Sequence, residues 1–136
     1  IIPELRERHF GIWENMPYTD IKNNYAELYK LWLTQPHKTE IPEAETNEEI
    51  SRRIQSGLKK IEAHYNQQED ENYLIVGHGG INRVILMHYL DLPLSSFWKI
   101  KQDNCCINIV EINNNYNSVS LMNYTQDIYN SKQYRY

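Results

Sequence analysis

The stretch Leu74-Ile75-Val76-Gly77-His78-Gly79-Gly80-Ile81-Asn82-Arg83 constrains the fold more than any other part of the chain. A short apolar run rich in branched residues ends at a histidine and two glycines, and a helical spacing of apolar residues follows at once. That order predicts a buried parallel strand over 73–77, a tight turn, and a helix N-terminus. A helix N-terminus presents free N–H groups and partial positive charge, so it suits an anion such as phosphate. Open α/β sheets place ligands at the carboxyl ends of their strands, which is where His78 then stands. The same residues also fit a buried structural histidine beside a turn that needs its glycines. Local pattern leaves both readings open.

The length of 136 residues fits one domain, taken as 1–136, that is able to bury a core. Fourteen Lys and Arg stand against 18 Asp and Glu, a mildly acidic balance with no footprint for nucleic acid or an anionic membrane. No apolar run approaches the roughly 20 residues that span a bilayer. The first residues show no charged region followed by a long apolar core of the signal-peptide kind. Cys105 and Cys106 are adjacent in an apolar strand pattern, which argues against a mutual structural disulfide and for a cytoplasmic, reducing setting.

Ile1 to Leu5 reads as the tail of a strand or an entry loop, and Phe10-Gly11-Ile12-Trp13 as an aromatic loop. Pro17 suits the first turn of a helix on which Ile21, Tyr25, Leu28, Leu31 and Trp32 recur at helical spacing, until Pro36 ends the pattern. Residues 35–45 read as a loop. Thr46-Asn47-Glu48-Glu49 matches a capping box, and Ile50, Ile54, Leu58, Ile61 and Tyr65 form the apolar stripe of the helix it opens. Ile81, Val84, Ile85 and Leu90 give the next helix, closed by Leu92-Pro93. Ser95 or Ser96 starts a short helical turn holding Phe97 and Trp98. Residues 105–112 read as a strand with Ile107, Ile109 and Val110 facing inward. Asn113-Asn114-Asn115 turns it back onto Val119 to Met122 as a hairpin. From Thr125 the chain is polar and aromatic without a clear period.

Leu5-Arg6-Glu7-Arg8-His9-Phe10-Gly11-Ile12-Trp13-Glu14 is the second dense cluster. A catalytic role there requires a carboxyl group able to hand a proton to a leaving oxygen. Taken alone, the cluster reads more simply as a solvated charged loop anchored by Phe10 and Trp13.

The two clusters and what lies between them resemble the histidine phosphatase, or phosphoglycerate mutase-like, superfamily. Leu5-Arg6-Glu7, then Phe10-Gly11-Ile12-Trp13-Glu14, is similar to the family's L-x-E-x-x-F-G-x-W-E-G loop. Ala44-Glu45-Thr46, with Arg53 eight residues after the acid, is similar to its G-E-S helix start. Val76 to Arg83 is similar to its V-x-H-G-G-x-x-R turn, and Asp103-Asn104-Cys105-Cys106 to the N-C-S/G strand entry that follows. The resemblance covers about residues 2–124 and looks closest to the α-ribazole phosphatase (cobalamin-pathway) and broad-specificity phosphatase branches. The family's N-terminal R-H-G strand, whose histidine is phosphorylated, has no counterpart, since Arg8-His9-Phe10-Gly11 lies inside the later acid loop. The chain is therefore expected to be a C-terminal two-thirds or a degenerate relative. Asn15 and Ala44 stand where glycines are usual, which puts the loop geometry in question.

The resemblance implies an α/β three-layer fold: a mostly parallel sheet with helices on both faces, a late antiparallel hairpin, and the first strand missing from this chain. It implies phosphomonoester hydrolysis through a phosphohistidine, with α-ribazole phosphate as a candidate substrate and no metal or other cofactor. Glu7 would be the proton donor and later the base, and His78 would neutralise the phosphoryl group. The Gly79 N–H would add a donor at the helix start. Asn104 would reach the phosphate or merely hold its turn. Arg83 would assist if it turned to the mouth, although a structural pair suits it better. Other readings are a cofactor-dependent phosphoglycerate mutase, suggested by Glu7-Arg8-His9-Phe10-Gly11, and a phosphate-binding pseudoenzyme. The expected partners are a small phosphorylated substrate and either a second copy of the chain or a segment supplying the first strand, with no nucleic acid and no membrane. His9 and His37 read as exposed loop residues, His64 as a residue near a polar helix end, where a cation favours the dipole, and His88 as a packing residue of the 81–90 helix. There is no metal-ligand spacing and no glycine-rich nucleotide fingerprint. Glu7 and Glu14 form a carboxylate pair of the glycosidase kind, but nothing in the sequence fixes their separation.

Overall fold

Phe97 packs against all three clusters of buried apolar side chains, so the short 3₁₀ segment Leu94–Lys99 that carries it is the common wall of the core. The computed structural model describes residues 1–63, 72–113 and 116–125. The helices are α1 (Tyr18–Asn24), α2 (Ala26–Thr34), α3 (Asn47–Glu62) and α4 (Gly79–Tyr89). The strands β1 (Ile107–Ile112) and β2 (Asn117–Tyr124) form an antiparallel pair. Among the described residues no helix is long and apolar enough to cross a membrane.

The capping box forms as expected: Thr46 accepts the Glu49 N–H, and the Glu49 carboxylate accepts the Thr46 N–H at 2.8 Å. It starts α3 in the register that buries Ile50, Ile54 and Leu58 against Ile81, Val84 and Ile85 of α4 and against Leu5. Each such aliphatic burial is worth about 1.5–3 kcal/mol. Tyr65 and His64 lie outside the described residues. Gly57 faces the N-terminal segment so closely that a Cβ there would stand 2.9 Å from Leu5 Cδ2. A second cluster gathers Trp13, Ile21, Trp32 and Ile41, and a third Leu86, Met87 and Ile100.

The single helix expected from Pro17 to Pro36 is two helices. Tyr25, at φ −133° and ψ 41°, leaves the helical region between α1 and α2. That break turns Ile21 and Trp32 into one cluster. The hairpin also departs from expectation. Ile107 and Ile109 are 53% and 47% exposed, and Val110 is the residue that packs against the core. The strand keeps its alternation with Asn108 and Val110 on the inner side, so of the three side chains expected inward only Val110 is, and register shifts at Ile107/Ile109 and Ile109/Val110 interrupt its pairing with β2. Residues 114–115 of the turn and the tail from 126 lie outside the described residues.

The strand expected over 73–77 does not form. Residues 72–78 make no ladder with any described strand, and Leu74 and Val76 are 91% and 89% exposed. A parallel strand needs neighbours for its backbone bonds and layers on both faces. Among the described residues the only sheet is the β1–β2 pair. Amide exchange of this chain is therefore expected to be near-unprotected over 72–78 and strongly protected in the buried turns of α3. Strong protection at Ile75 or Val76 in a monomer would contradict that picture.

Candidate functional site

The Glu7 carboxylate sits at the N-terminus of α4. Its Oε2 accepts the Gly80 N–H at 3.3 Å and its Oε1 accepts the Arg8 N–H at 2.9 Å. A Cβ built on Gly80 would stand 2.7 Å from Glu7 Oε1, so the carboxylate reaches the helix end only because residue 80 has no side chain. His78 is the N-cap of α4, with extended backbone, an exposed ring and no capping bond from its side chain. The folded chain thus brings Glu7 to the His78-Gly79-Gly80 turn across more than 70 residues of sequence. The donor that meets the carboxylate is Gly80; Gly79 instead faces Gln102, whose Cβ would lie 3.9 Å from a Cβ on Gly79.

The backbone under Glu7 is held by Arg53 of α3. Its guanidinium makes a bidentate pair with Glu45, at 2.5 and 2.8 Å, and donates to the carbonyls of Glu4, Arg6 and Glu7. Glu45 also receives Arg6 at 3.1 Å. Burial pushes the Glu45 carboxyl up, but the bond and charge of Arg53, joined by Arg6, outweigh it and leave the group below the ordinary carboxylate range.

Arg8, next to Glu7, is buried. It donates to Asn47 Oδ1 and the Glu45 carbonyl at 3.3 and 2.9 Å, and its guanidinium carbon lies 5.1 Å from the Trp32 ring centre. Burial lowers its pKa, opposed by the charges of Glu45 and Glu7. Together with Glu7, Phe10, Trp32, Phe97 and Gly80 it lines a narrow apolar cleft of about 30 Å³, room for one water. A wider hollow of about 400 Å³, lined by Lys38 and Glu48 among others, shares Arg8, His37 and Asn47 with this cleft.

Two remaining candidates are held mainly by other partners. Arg83 donates through Nε to the Ile100 carbonyl at 2.8 Å and lies over the Phe97 and Trp98 rings at 5.2 and 4.9 Å, while burial pulls the pKa of its half-buried guanidinium down against the charge of Glu7. Asn104 is exposed in the turn before β1. The polar network of that region runs instead through Gln102, Asn108, Asn123 and Asp103. Nothing in the sequence marked Gln102, and Arg8 stood out there only as one charge of the 5–14 cluster; the fixed spacing from Glu45 to Arg53 was the one available signal for the clamp. His9 is exposed, its Nδ1 lying 3.2 Å from both Glu43 O and Gly11 N. The Glu14 carboxylate closes the loop by accepting the Phe10 N–H at 2.6 Å.

The loop tolerates both replaced glycines. Asn15 takes φ +58°, a value asparagine accepts more readily than most residues, and at the other position the left-handed residue is Glu43 and not Ala44. Gly11 is a strict requirement: it has φ +57°, and a Cβ there would lie 2.0 Å from the Pro42 carbonyl oxygen. Chemically, the centre offers an ionisable oxygen, an exposed imidazole and a helix N-terminus within one turn of backbone. Those groups are suited to moving a proton beside a bound anion.

The model of the histidine phosphatase superfamily (branch 1) matches residues 1–125. The adenosylcobalamin/alpha-ribazole phosphatase of Salmonella typhimurium is 27% identical over 123 residues, which are 90% of this chain and 59% of that protein. Phosphoserine phosphatase 1 of Hydrogenobacter thermophilus is 25% identical over 116 residues, 85% of this chain and 53% of that protein. The crystal structure of the alpha-ribazole phosphatase from Shigella flexneri superposes with a TM-score of 0.73 at 27% identity, covering 91% of this chain and 60% of that one. The chain therefore spans less than two thirds of the relatives it matches.

Two outcomes test this geometry. Gly80→Ala is expected to drive Glu7 from the α4 N-terminus, seen as loss of the Glu7-dependent pH response of the residue 80 amide in NMR spectra. Glu45 makes the fold acid-sensitive. Its folded-state pKa is depressed, so its stabilising contribution is present above the unfolded value of about 4.3 and disappears as pH falls through the folded value. Glu45→Gln should be less stable than the parent at neutral pH and should lose less stability between neutral pH and pH about 3, followed by circular dichroism.

Proposed function

The chain belongs to the histidine phosphatase superfamily, and on that premise we propose that the full-length protein hydrolyses a small phosphomonoester through a phosphohistidine intermediate. The observation that carries the reading is the Glu7 carboxylate docked at the α4 N-terminus beside His78. In the first half-reaction, a histidine supplied from outside these 136 residues attacks phosphorus. The P–O bond to the leaving group breaks as protonated Glu7 gives that oxygen its proton. In the second, the Glu7 carboxylate takes a proton from water as the water oxygen attacks phosphorus. The P–N bond then breaks, returning imidazole and inorganic phosphate. His78 and the N–H groups of the α4 N-terminus offset the charge on the equatorial oxygens. No step calls on a metal or other cofactor.

The same premise assigns 1–136 to the C-terminal two-thirds of one domain whose mostly parallel, three-layer sheet is completed by an upstream segment, or by a second copy of the chain. The apolar exposure of Leu74 and Val76 supports this, since such side chains are otherwise unfavourable in water. The substrate proposed is α-ribazole phosphate or a similar phosphomonoester, on the strength of the names of the Salmonella and Shigella relatives, and the setting proposed is the cytoplasm, which the free Cys105 and Cys106 support.

With the full-length gene product and a generic aryl phosphate, His78→Ala should lower the rate by on the order of 10²-fold or more. Glu7→Gln should lower it by roughly 10²–10⁴-fold, most severely for esters with poor leaving groups. Near-parental rates in both folded variants would remove these residues from the site. The 136-residue chain alone should show no turnover, and sustained hydrolysis by it in the presence of chelator would demand a different nucleophile.

A further inference from the structure

We infer that Arg53 is a positioning residue for Glu7: the forked guanidinium of α3 holds the backbone of residues 4–7 so that the Glu7 carboxyl meets the α4 N-terminus. The inference rests on the reading of Glu7 as proton donor and goes beyond it to a residue that touches neither substrate nor α4.

An ion pair with Glu45 would by itself use only two of the guanidinium N–H groups. All five are used here. Nε and one Nη2 proton go to Glu45, at 2.5 and 2.8 Å. The two Nη1 protons go to the Glu4 and Arg6 carbonyls, at 2.6 and 2.8 Å, and the second Nη2 proton to the Glu7 carbonyl at 3.4 Å. Three of the five bonds therefore fall on one four-residue stretch that ends at Glu7. Both partners of the pair are nearly enclosed, with 11% and 9% of their side chains exposed, so the fork has little freedom to turn. One helical turn on, Gly57 presents bare backbone to the same stretch, and a Cβ there would stand 3.0 Å from Glu4 Cβ. Positions 53 and 57 are thus a seat on one face of α3, donors at one end and a hollow at the other, shaped for residues 4–7.

From that seat the Glu7 side chain reaches the Arg8 N–H through Oε1 and the Gly80 N–H through Oε2. Moving its carbonyl moves its carboxyl relative to α4, and a displacement of about 1 Å at a reacting group costs on the order of 10²-fold in rate. Lysine supplies a compact point charge and cannot hold Glu45 and three carbonyls at once.

The test uses the full-length gene product carrying Arg53→Lys, with Arg52→Lys, an exposed neighbour on the same helix, as control. Two esters are compared: phenyl phosphate, whose leaving group needs a proton, and 2,4-dinitrophenyl phosphate, whose leaving group does not. Arg53→Lys should lower kcat on phenyl phosphate by about 10²-fold and leave the dinitrophenyl ester nearly unchanged. An equal loss on both esters, or no loss, would overturn the inference. A second readout is independent of activity. Gly79-Gly80 is the one Gly-Gly step in these residues, so paired carbonyl-¹³C and amide-¹⁵N glycine labelling isolates the Gly80 amide from the rest of the chain. Its pH-dependent shift should report Glu7 in the parent and in Arg52→Lys and be lost in Arg53→Lys. A parental titration in Arg53→Lys would sink the positioning role even if no ester is hydrolysed, whereas loss of the titration without any parental turnover would fault the phosphatase reading alone. If Arg53→Lys does not fold, Glu45→Gln, which keeps one acceptor, turns the other into a donor and removes the charge that orients the fork, is expected to show the same selectivity in smaller degree, and its absence there counts against the inference equally.

Discussion

The Glu45–Arg53 pair ties the N-terminal segment, more than 40 residues from Arg53 in sequence, to the loop before α3 and to α3 itself. Its contribution to net stability is not the point, since desolvating two charges offsets much of what their attraction returns. Its effect is geometric. A planar fork with five directional donors fixes where residues 4–7 run, and a capping box that ends directly before Ile50, α3's first buried side chain, fixes where the fork stands. The position of Glu7 is the product of those two constraints.

The same economy governs the glycines. Gly80 is bare because the Glu7 carboxylate occupies the space of its side chain, and Gly57 because Leu5 and Glu4 lie there. Gly11 is bare because the Pro42 carbonyl does. Each marks a close approach between segments far apart in sequence, and together they trace the path of the N-terminal loop over α3 and α4. Around that path the aromatic side chains do the filling. Trp32 meets the rings of Phe10, Phe97 and Trp98 at 5.9, 5.5 and 5.5 Å and lies beneath Arg8, so one indole closes the cleft and shields a cation beside the acid.

Apolar surface is distributed unevenly. The side of α3 and α4 that faces the N-terminal loop is dry, whereas Leu74, Val76, Ile107, Ile109 and Ile112 face outward. A run as apolar as 74–76 is of the kind that parallel strands bury on both faces, yet here Leu74 and Val76 are turned to solvent.

The sequence by itself determined the local events. Thr46 and Glu49 specify the start of α3, Pro36 the end of α2, and the alternation of Ile50, Ile54 and Leu58 the face that is buried, because each depends only on neighbours within one or two turns. The ordered motifs around Glu7, Glu45, His78 and Asn104 were enough to point to the family. Only tertiary structure decided which groups meet. That the carboxylate of Glu7 contacts Gly80 and not Gly79, that Arg83 serves the Phe97-Trp98 turn, that Asn104 stays outside the polar network, and that Ile107 and Ile109 face out all depend on register and packing between distant segments. The strand at 73–77 shows the limit most directly: its apolar side chains are written in the sequence, but a ladder exists only when a second backbone lies beside it.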